Sequence, residues 1–311
     1  MNLRIGSRGS QLALWQANHI ADLLRAEGHS VDIRILKTTG DRLQEVTFAQ
    51  VGSKGMFTKE IEEALAAGEV DFAVHSLKDL PTQLPARFTL AATPARVDPR
   101  DVFVSVEHKS LAALPNRARV GTSSQRRRAQ LKALRPDLEI VEFRGNVDTR
   151  LRKLSEGQVD AILLAAAGLD RLEKSEWVRE RLDPAHFCPA AGQGSLGIEA
   201  RNGDTAVLAA LAFLNDPATR YAVTAERAAL AALGGGCQVP IGVHVRPNAQ
   251  APDQIELFAV VAAPDTGAAV RIHHFADRNV TDPESLGKLA ARMLLDAGAA
   301  PLLAAAGEIA Q

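Results

Sequence analysis

The alternation of strand-length and helix-length runs is what most narrows the folds open to this chain. Apolar runs at residues 3–6, 31–36 and 70–74 are separated by two helical segments. The first can be capped by Ser10 and carries Leu12, Trp15, Ile20 and Leu23 on one face; the second covers 56–67. Such a β-α-β-α-β order predicts a parallel sheet covered on both faces. A second set begins near Asp101, with strands at 102–106, 119–121, 138–143 and 161–164 and helices starting near Ser124 and Val147. Between the sets lies the stiff connector Pro94-Ala95-Arg96-Val97-Asp98-Pro99, and 188–194 reads as a crossing back. Two crossings predict a hinged, two-lobed α/β protein, with ligands held at strand carboxyl ends in the cleft between the lobes. After Asn215-Asp216-Pro217 the alternation stops. An Ala-rich helix over about 218–233, strands at 241–245, 254–262 and 270–275 and a helix over about 283–297 read as a small α+β domain. The expected partition is 1–95 with 195–214 as one lobe, 100–190 as the other, and 217–311 as the third domain.

Composition removes several function classes. The 311 residues are 46% apolar, as in folded globular proteins, and carry a formal charge of -1. That balance excludes a generally basic nucleic-acid-binding protein, and 4% aromatics, with Tyr221 the sole tyrosine, argue against a base-stacking platform. Two cysteines, Cys188 and Cys237, make neither a disulfide framework nor a CxxC metal or redox motif, so no metal is expected. Apolar stretches such as 207–214 fall short of the roughly 18 residues of a membrane span. The first residues, Met1 to Gly6, hold no apolar signal core, so a cytoplasmic protein without a membrane partner is expected.

Charge is distributed unevenly. Between Arg117 and Lys153 there are eleven basic and four acidic residues, so the rest of the chain is net acidic. Within this stretch, Gly121-Thr122-Ser123-Ser124-Gln125-Arg126-Arg127-Arg128 follows a strand and opens a helix. Backbone N–H groups, hydroxyls and guanidinium groups converge there at the positive end of a helix dipole, which makes an anion site. Arg144-Gly145-Asn146-Val147-Asp148-Thr149-Arg150 repeats the arrangement at the next strand-to-helix turn, and Arg8-Gly9-Ser10 has the same shape after the first strand. The plainer alternative is a set of solvated helix faces and simple N-caps, and Arg128, Arg152 and Lys153 are expected to point outward. Gly52-Ser53-Lys54-Gly55 is a glycine-rich loop tip, not a P-loop, that can carry Lys54 over an anion.

Two further segments stand out. His75-Ser76-Leu77-Lys78-Asp79-Leu80-Pro81 ends a buried strand with four polar side chains, which need a polar cleft or water. Asp79 there can stabilise a developing cation or shuttle a proton, or simply close a turn before Pro81; His75 reads as structural. Leu233-Gly234-Gly235-Gly236-Cys237-Gln238-Val239-Pro240 puts a cysteine where crowding is least. A lone cysteine is ordinarily a small buried hydrophobe, as Cys188 reads, but the glycine run argues for close approach of something bulky to the sulfur of Cys237.

Taken together and in order, these segments resemble the porphobilinogen deaminase (hydroxymethylbilane synthase) family. The resemblance is carried by Arg4-Ile5-Gly6-Ser7-Arg8 with Leu12-Ala13-Leu14-Trp15-Gln16, Lys54-Gly55-Met56-Phe57, His75 to Asp79, Gly121 to Arg127, Arg144-Gly145-Asn146-Val147 with Arg150, Ala190-Ala191-Gly192-Gln193-Gly194 and Gly235-Gly236-Cys237. It implies two periplasmic-binding-protein-like doubly wound lobes with a hinge and a small C-terminal α+β domain. It implies a cytoplasmic, monomeric transferase of haem and tetrapyrrole biosynthesis. Such an enzyme joins four porphobilinogen molecules with release of ammonia and hydrolyses off hydroxymethylbilane. The implied cofactor is dipyrromethane, built from substrate and bound by a thioether to Cys237, with Asp79 as the catalytic aspartate. Ser76, Lys78, Thr122, Ser123, Ser124, Arg126 and Arg127 would surround the cofactor. Arg8, Ser10, Lys54, Arg144, Arg150 and Arg171 would meet substrate or growing chain, with 37–55 as a mobile lid. Gln50 departs from a lysine frequent in the family, leaving chain handling to Lys54 and a neighbour such as Lys59, and Asp148 replaces a small residue.

The chemistry agrees with the residues. Each pyrrole unit brings an acetate and a propionate, which the arginine clusters can anchor. Loss of ammonia leaves an electron-deficient centre that a fixed carboxylate calms. The rival reading is a non-catalytic two-lobed anion-binding protein, which would show the same alternation and arginine clusters but has no use for a cofactor on Cys237. Nucleic-acid binding through the basic stretch is the weaker rival.

Overall fold

The computed structural model describes residues 1–38, 58–235 and 239–309. The chain runs β1 (Asn2–Ser7), α1 (Gln11–Ala26), β2 (Ser30–Ile35), α2 (Lys59–Ala66), β3 (Phe72–Ser76) and β4 (Phe88–Ala92). It continues through β5 (Asp101–Val104), β6 (Arg119–Gly121), α3 (Gln125–Leu134), β7 (Glu139–Val141), α4 (Val147–Ser155), β8 (Ala161–Ala165), α5 (Ala166–Arg171) and β9 (Val178–Arg181). It ends with β10 (Leu196–Arg201), α6 (Thr205–Leu211), α7 (Pro217–Ala232), β11 (Ile241–Asn248), β12 (Ala251–Ala262), β13 (Ala269–Asp277), α8 (Pro283–Asp296) and α9 (Ala300–Ile309). These elements form two compact units, one of residues 1–97 and 194–220, the other of 98–193 and 221–311.

In the first unit the sheet order is β2-β1-β3-β10-β4. Strands β1, β2 and β3 are parallel, while β10 pairs antiparallel with both β3 and β4. The second unit repeats the plan as β7-β6-β8-β5-β9, with β5 antiparallel to β8 and β9. Each sheet therefore departs from the all-parallel arrangement expected from alternation, and in the same place. The reversed strand is the first one after the chain enters the unit, at 98 for β5 and at 194 for β10. No crossover helix precedes it within its own sheet, so nothing forces it parallel.

Both sheets are buried on both faces. In the first, Phe72, Val74, Leu196 and Ile198 pack against Ile20 and Leu24 of α1, whereas Ala73 packs with Ile61 and Leu65 of α2 on the other side. In the second unit Phe103, Val120 and Leu163 face Leu131, and Val102, Val104 and Ile162 face Leu151 and Leu154 of α4. The strands missed in the sequence, β4, β9 and β10, are the ones whose pattern is broken. Strands β4 and β9 are sheet edges, and β9 reads Val-Arg-Glu-Arg, as an edge exposed to pairing should. Strand β10 carries the buried Glu199.

The C-terminal part of the second unit is a three-stranded antiparallel sheet, β11-β12-β13. One face packs Val243, Leu257 and Val261 on Ala225 and Ala229 of α7 and Leu286 and Leu294 of α8. The other places Phe258 and Val260 against Ala129 of α3 and against Cys188. Glu226 of α7, fully buried, accepts from the backbone N–H of Gly192 at 2.7 Å and of Val245 at 2.8 Å, tying the 188–194 segment to β11. Helices α7 and α8 approach so closely that a Cβ on Gly287 would lie 2.2 Å from the Ala225 carbonyl oxygen. Gly287→Ala is expected to destabilise the protein by about 1–3 kcal/mol through overpacking, measured as a lower urea midpoint with an unchanged slope.

Candidate active site

In the first unit the candidate residues come from the carboxyl ends of β1 and β3. Ser10 caps α1 and accepts from the Ala13 N–H, so the expected N-cap is present, with half-buried Arg8 just before it. Strand β3 ends at Ser76, whose hydroxyl accepts from the buried amide of Gln16 on α1 at 2.8 Å. A single 3-10 turn, Leu77–Asp79, follows. Leu77 and Leu80 are buried at 1% and 2% exposure and pin both sides of this turn, while Asp79 between them is exposed and Lys78 half-buried. The sequence Leu-Lys-Asp-Leu thus fixes a carboxylate at the strand end by burying its apolar neighbours.

The other face of β3 holds a pair that sequence reasoning only half found. His75 Nε2 lies 2.9 Å from Glu199 Oε2 on β10, and both side chains are buried. The partner of His75, not evident in the sequence, comes from the strand across. Glu62 on α2 is close enough to feel Glu199: burial first, then the Glu199 charge, raise its pKa, against smaller opposing effects of Thr58, His75 and Arg87.

In the second unit the 122–127 turn forms as its sequence predicts. Ser124 caps α3 and accepts from the Arg127 N–H, the buried Thr122 hydroxyl accepts from the Ser124 N–H at 3.2 Å, and Ser123 is half-buried. The hydroxyls of Thr122 and Ser124 thus also shape the turn. Arg126 and Arg127 are 5% and 6% exposed, and both reach Asp101 at the start of β5. Arg126 Nη1 donates to Asp101 Oδ2 at 2.6 Å and Arg127 Nε to Oδ1 at 2.9 Å. Burial opposes ionisation of Asp101, but the two guanidinium groups outweigh it and hold the carboxyl far below its usual range. Asp101 is the main residue that sequence reasoning missed. Its signal was a carboxylate opening the strand Asp-Val-Phe-Val, otherwise wholly apolar and buried.

The next strand-to-helix turn carries Arg144 and Arg150. Gly145 adopts φ +124°, and a Cβ there would meet Thr149 at 2.7 Å, so only glycine fits. Asn146 caps α4 by accepting from the Thr149 N–H at 2.9 Å. Arg144 donates Nε to Glu142 at 2.6 Å, and Arg150 donates Nε to the Gly145 carbonyl at 2.8 Å. Burial, then the positive charge of Arg127, lowers the Arg150 pKa to about 10. Arg171, closing α5 at 7% exposure, is lowered to about 10 by burial alone. These are desolvated cations that a bound anion would relieve. Cys188 is buried and its thiol is pushed far up by burial, which makes it the inert core residue expected. Arg152 is exposed as expected, whereas Lys153 is half-buried with Nζ 5.8 Å from the Phe143 ring centroid. Lys54, Gln50 and Cys237, and the 37–55 loop beyond Thr38, lie outside the described residues.

A family model described as porphobilinogen deaminase, dipyromethane cofactor binding domain, matches residues 3–209, and the C-terminal domain model of the same family matches 220–296. The chain belongs to the porphobilinogen deaminase family. Porphobilinogen deaminase of Roseiflexus castenholzii is 51% identical over 305 residues, covering 97% of this chain and 99% of that one. That of Thiobacillus denitrificans is 50% identical, covering 97% of both chains. Among solved structures, the methionine-binding protein MetQ is similar over 68% of this chain and 89% of that one, at 12% identity and a TM-score of 0.46. Family membership favours the enzyme over a non-catalytic anion-binding protein.

The residues present fit the family's dipyrromethane cofactor. Arg126 and Arg127 supply two buried positive charges against the one buried carboxylate they share, Asp101, while half-buried Arg150 and buried Arg171 add two desolvated cations. Among the described residues no group of three or more His, Cys, Asp or Glu is placed to hold a metal ion.

The first unit generates its own test. Because the folded-state pKa of Glu62 lies above the unfolded value, its charge costs stability only once the pH exceeds the unfolded value; below it both states hold the proton. Glu62→Gln should therefore raise Tm at pH 8, with the gain vanishing below the ordinary glutamate value of about 4.3. A Tm gain of equal size at pH 3 and pH 8 would contradict this origin.

Proposed function

We propose that this chain is a transferase that polymerises four porphobilinogen molecules into hydroxymethylbilane, releasing ammonia at each addition, in tetrapyrrole and haem biosynthesis. The observation that carries the reading is the match, over 97% of the chain, to relatives named porphobilinogen deaminase. When bound, the dipyrromethane cofactor supplies the pyrrole end from which the polymer grows. We assign its attachment to Cys237 through a thioether, in keeping with the glycine run before that residue. Ser76, Lys78, Thr122, Ser123, Ser124, Arg126 and Arg127 are assigned to the cofactor's surroundings. Arg8, Ser10, Lys54, Arg144, Arg150 and Arg171 are assigned to substrate and the elongating chain.

In this reading the arginines do electrostatic work. Each pyrrole unit adds two carboxylates, and the desolvated Arg150 and Arg171 regain in an anion what burial took from them in hydration. Asp79 is assigned to the chemical step. Its carboxylate stands at the end of a rigid strand on a turn pinned by Leu77 and Leu80. A negative charge held there stabilises the cation left when ammonia departs from porphobilinogen, without reorganisation at the moment of reaction. It can also pass a proton to the leaving amine.

The domain partition we propose is 1–95 with 195–214, 100–190, and 217–311, supported by a separate sheet in each. We also propose a cytoplasmic monomer that acts on a small molecule and binds neither nucleic acid nor membrane. Among the described residues no helix is long and apolar enough to cross a membrane.

Intact-protein mass tests the cofactor assignment. The purified enzyme should exceed its sequence mass by one dipyrromethane, and Cys237→Ser should fold at the sequence mass; an active protein of unmodified mass would refute it. Asp79→Asn should keep the added mass and lose at least about a hundredfold in kcat, in line with removal of a charge-stabilising group. Parent-like turnover would take Asp79 out of the mechanism.

A further inference from the structure

Asp101 has no exposed surface, yet it gathers donors from three side chains. Besides Arg126 Nη1 and Arg127 Nε, its oxygens accept from Arg126 Nη2 at 3.2 Å and Gln193 Nε2 at 3.1 Å, with Arg127 Nη2 at 2.8 Å. The donors then reach onward. Arg126 Nη1 donates to the Cys188 carbonyl and Gln193 Nε2 to the Pro99 carbonyl, each at 2.7 Å, and Arg127 Nη1 donates to the Leu163 carbonyl on β8 at 3.0 Å. Gln130 of α3 braces the same point, giving its amide N–H to the Cys188 carbonyl and accepting from the Cys188 N–H. One carboxylate thus fixes the first turn of α3, the carboxyl half of β8 and both segments, near 99 and near 193, where the chain changes units.

We propose that Asp101 is a positioning residue for the anion-binding turn at 122–127. It locks the guanidinium groups of Arg126 and Arg127 into a single arrangement and leaves that arrangement one positive charge in excess for a carboxylate of the bound group. The inference rests on the reading that this chain holds a carboxylate-bearing cofactor. Charge and geometry both support it. Two cations share one anion, so the cluster stays net positive while every member is held by hydrogen bonds. Arg127 is the member close enough for its charge to be felt by Arg150 in the neighbouring arginine turn. A cationic pair without Asp101 would repel itself and Arg150, and would spread among rotamers before any ligand arrived. Preorganisation of this kind is what separates recognition of one particular anion from general anion binding.

The test is Asp101→Asn beside Asp101→Glu in the full-length protein. Three quantities are read: cofactor occupancy by intact mass, Tm in sodium chloride, and the Tm gain on replacing chloride by sulfate at equal ionic strength. Removing the charge should bring cofactor occupancy below about half while making the sulfate gain at least about twice that of the parent, since the freed arginines then take any anion. Asp101→Glu, which keeps the charge, should recover occupancy relative to Asp101→Asn. A purely structural residue would lower Tm equally in chloride and sulfate, and that result overturns the proposal, as would parent-like occupancy in Asp101→Asn. Insolubility of both variants alike, charge kept or lost, would assign Asp101 to folding alone and also overturn it. If the parent itself carries no added mass, the cofactor reading fails, and the sulfate comparison still decides the role of Asp101.

Discussion

A carboxylate removed from water must find enough positive charge and enough N–H groups to replace its hydration, or it will not stay ionised. At Asp101 that demand is met by two adjacent arginines of α3 and one glutamine of the 188–194 segment. Meeting it dictates much else. Strand β5 must begin where it does, α3 must start at Gln125, just past its Ser124 cap, so that both guanidinium groups reach Asp101, and the 188–194 segment must pass alongside. Breaking one side of such a buried pair typically costs about 3–5 kcal/mol, more than any exposed ion pair of this chain can return. The same bonds keep two side chains with long, flexible stems in one place at the start of α3.

The two sheets show how one topological plan serves two different chemical ends. Each places helix N-termini and strand carboxyl ends on one edge, and each admits a reversed strand from the segment that enters the unit. In the first unit the strand ends deliver an exposed carboxylate on a turn pinned by leucines. In the second they deliver buried cations. The contrast lies in the first residues past each strand: Leu-Lys-Asp after β3, Thr-Ser-Ser-Gln-Arg-Arg after β6 and, three residues past β7, Arg-Gly-Asn. The sheets are scaffolds; the turns carry the polar side chains.

Much of this was legible in advance where a local signal and its structural consequence coincide. Ser10, Ser124 and Asn146 precede helices and cap them, because a short oxygen-bearing side chain satisfies free N–H groups wherever the helix begins. Helices α7 and α8 and strands β11 to β13 declare themselves through composition and period. What did not read through is what depends on a partner far along the chain. Glu199 looks like an interruption of a strand until His75, 124 residues away in sequence, supplies its hydrogen bond. Arg126 and Arg127 read as anion ligands, whereas a good part of their donor capacity goes to Asp101.

The sequence by itself determined the class of fold, the family, the turns that carry the polar residues and the kinds of charge available, because hydrophobic period, capping and side-chain chemistry are properties of short segments. Only the tertiary structure decided which strands run backwards and which arginines are shared with a buried carboxylate. It alone decided that Arg150 and Arg171 are desolvated while Asp79 stays in water. Those outcomes follow from who lies beside whom after folding, and hydration and charge compensation are set by that neighbourhood rather than by the residue alone.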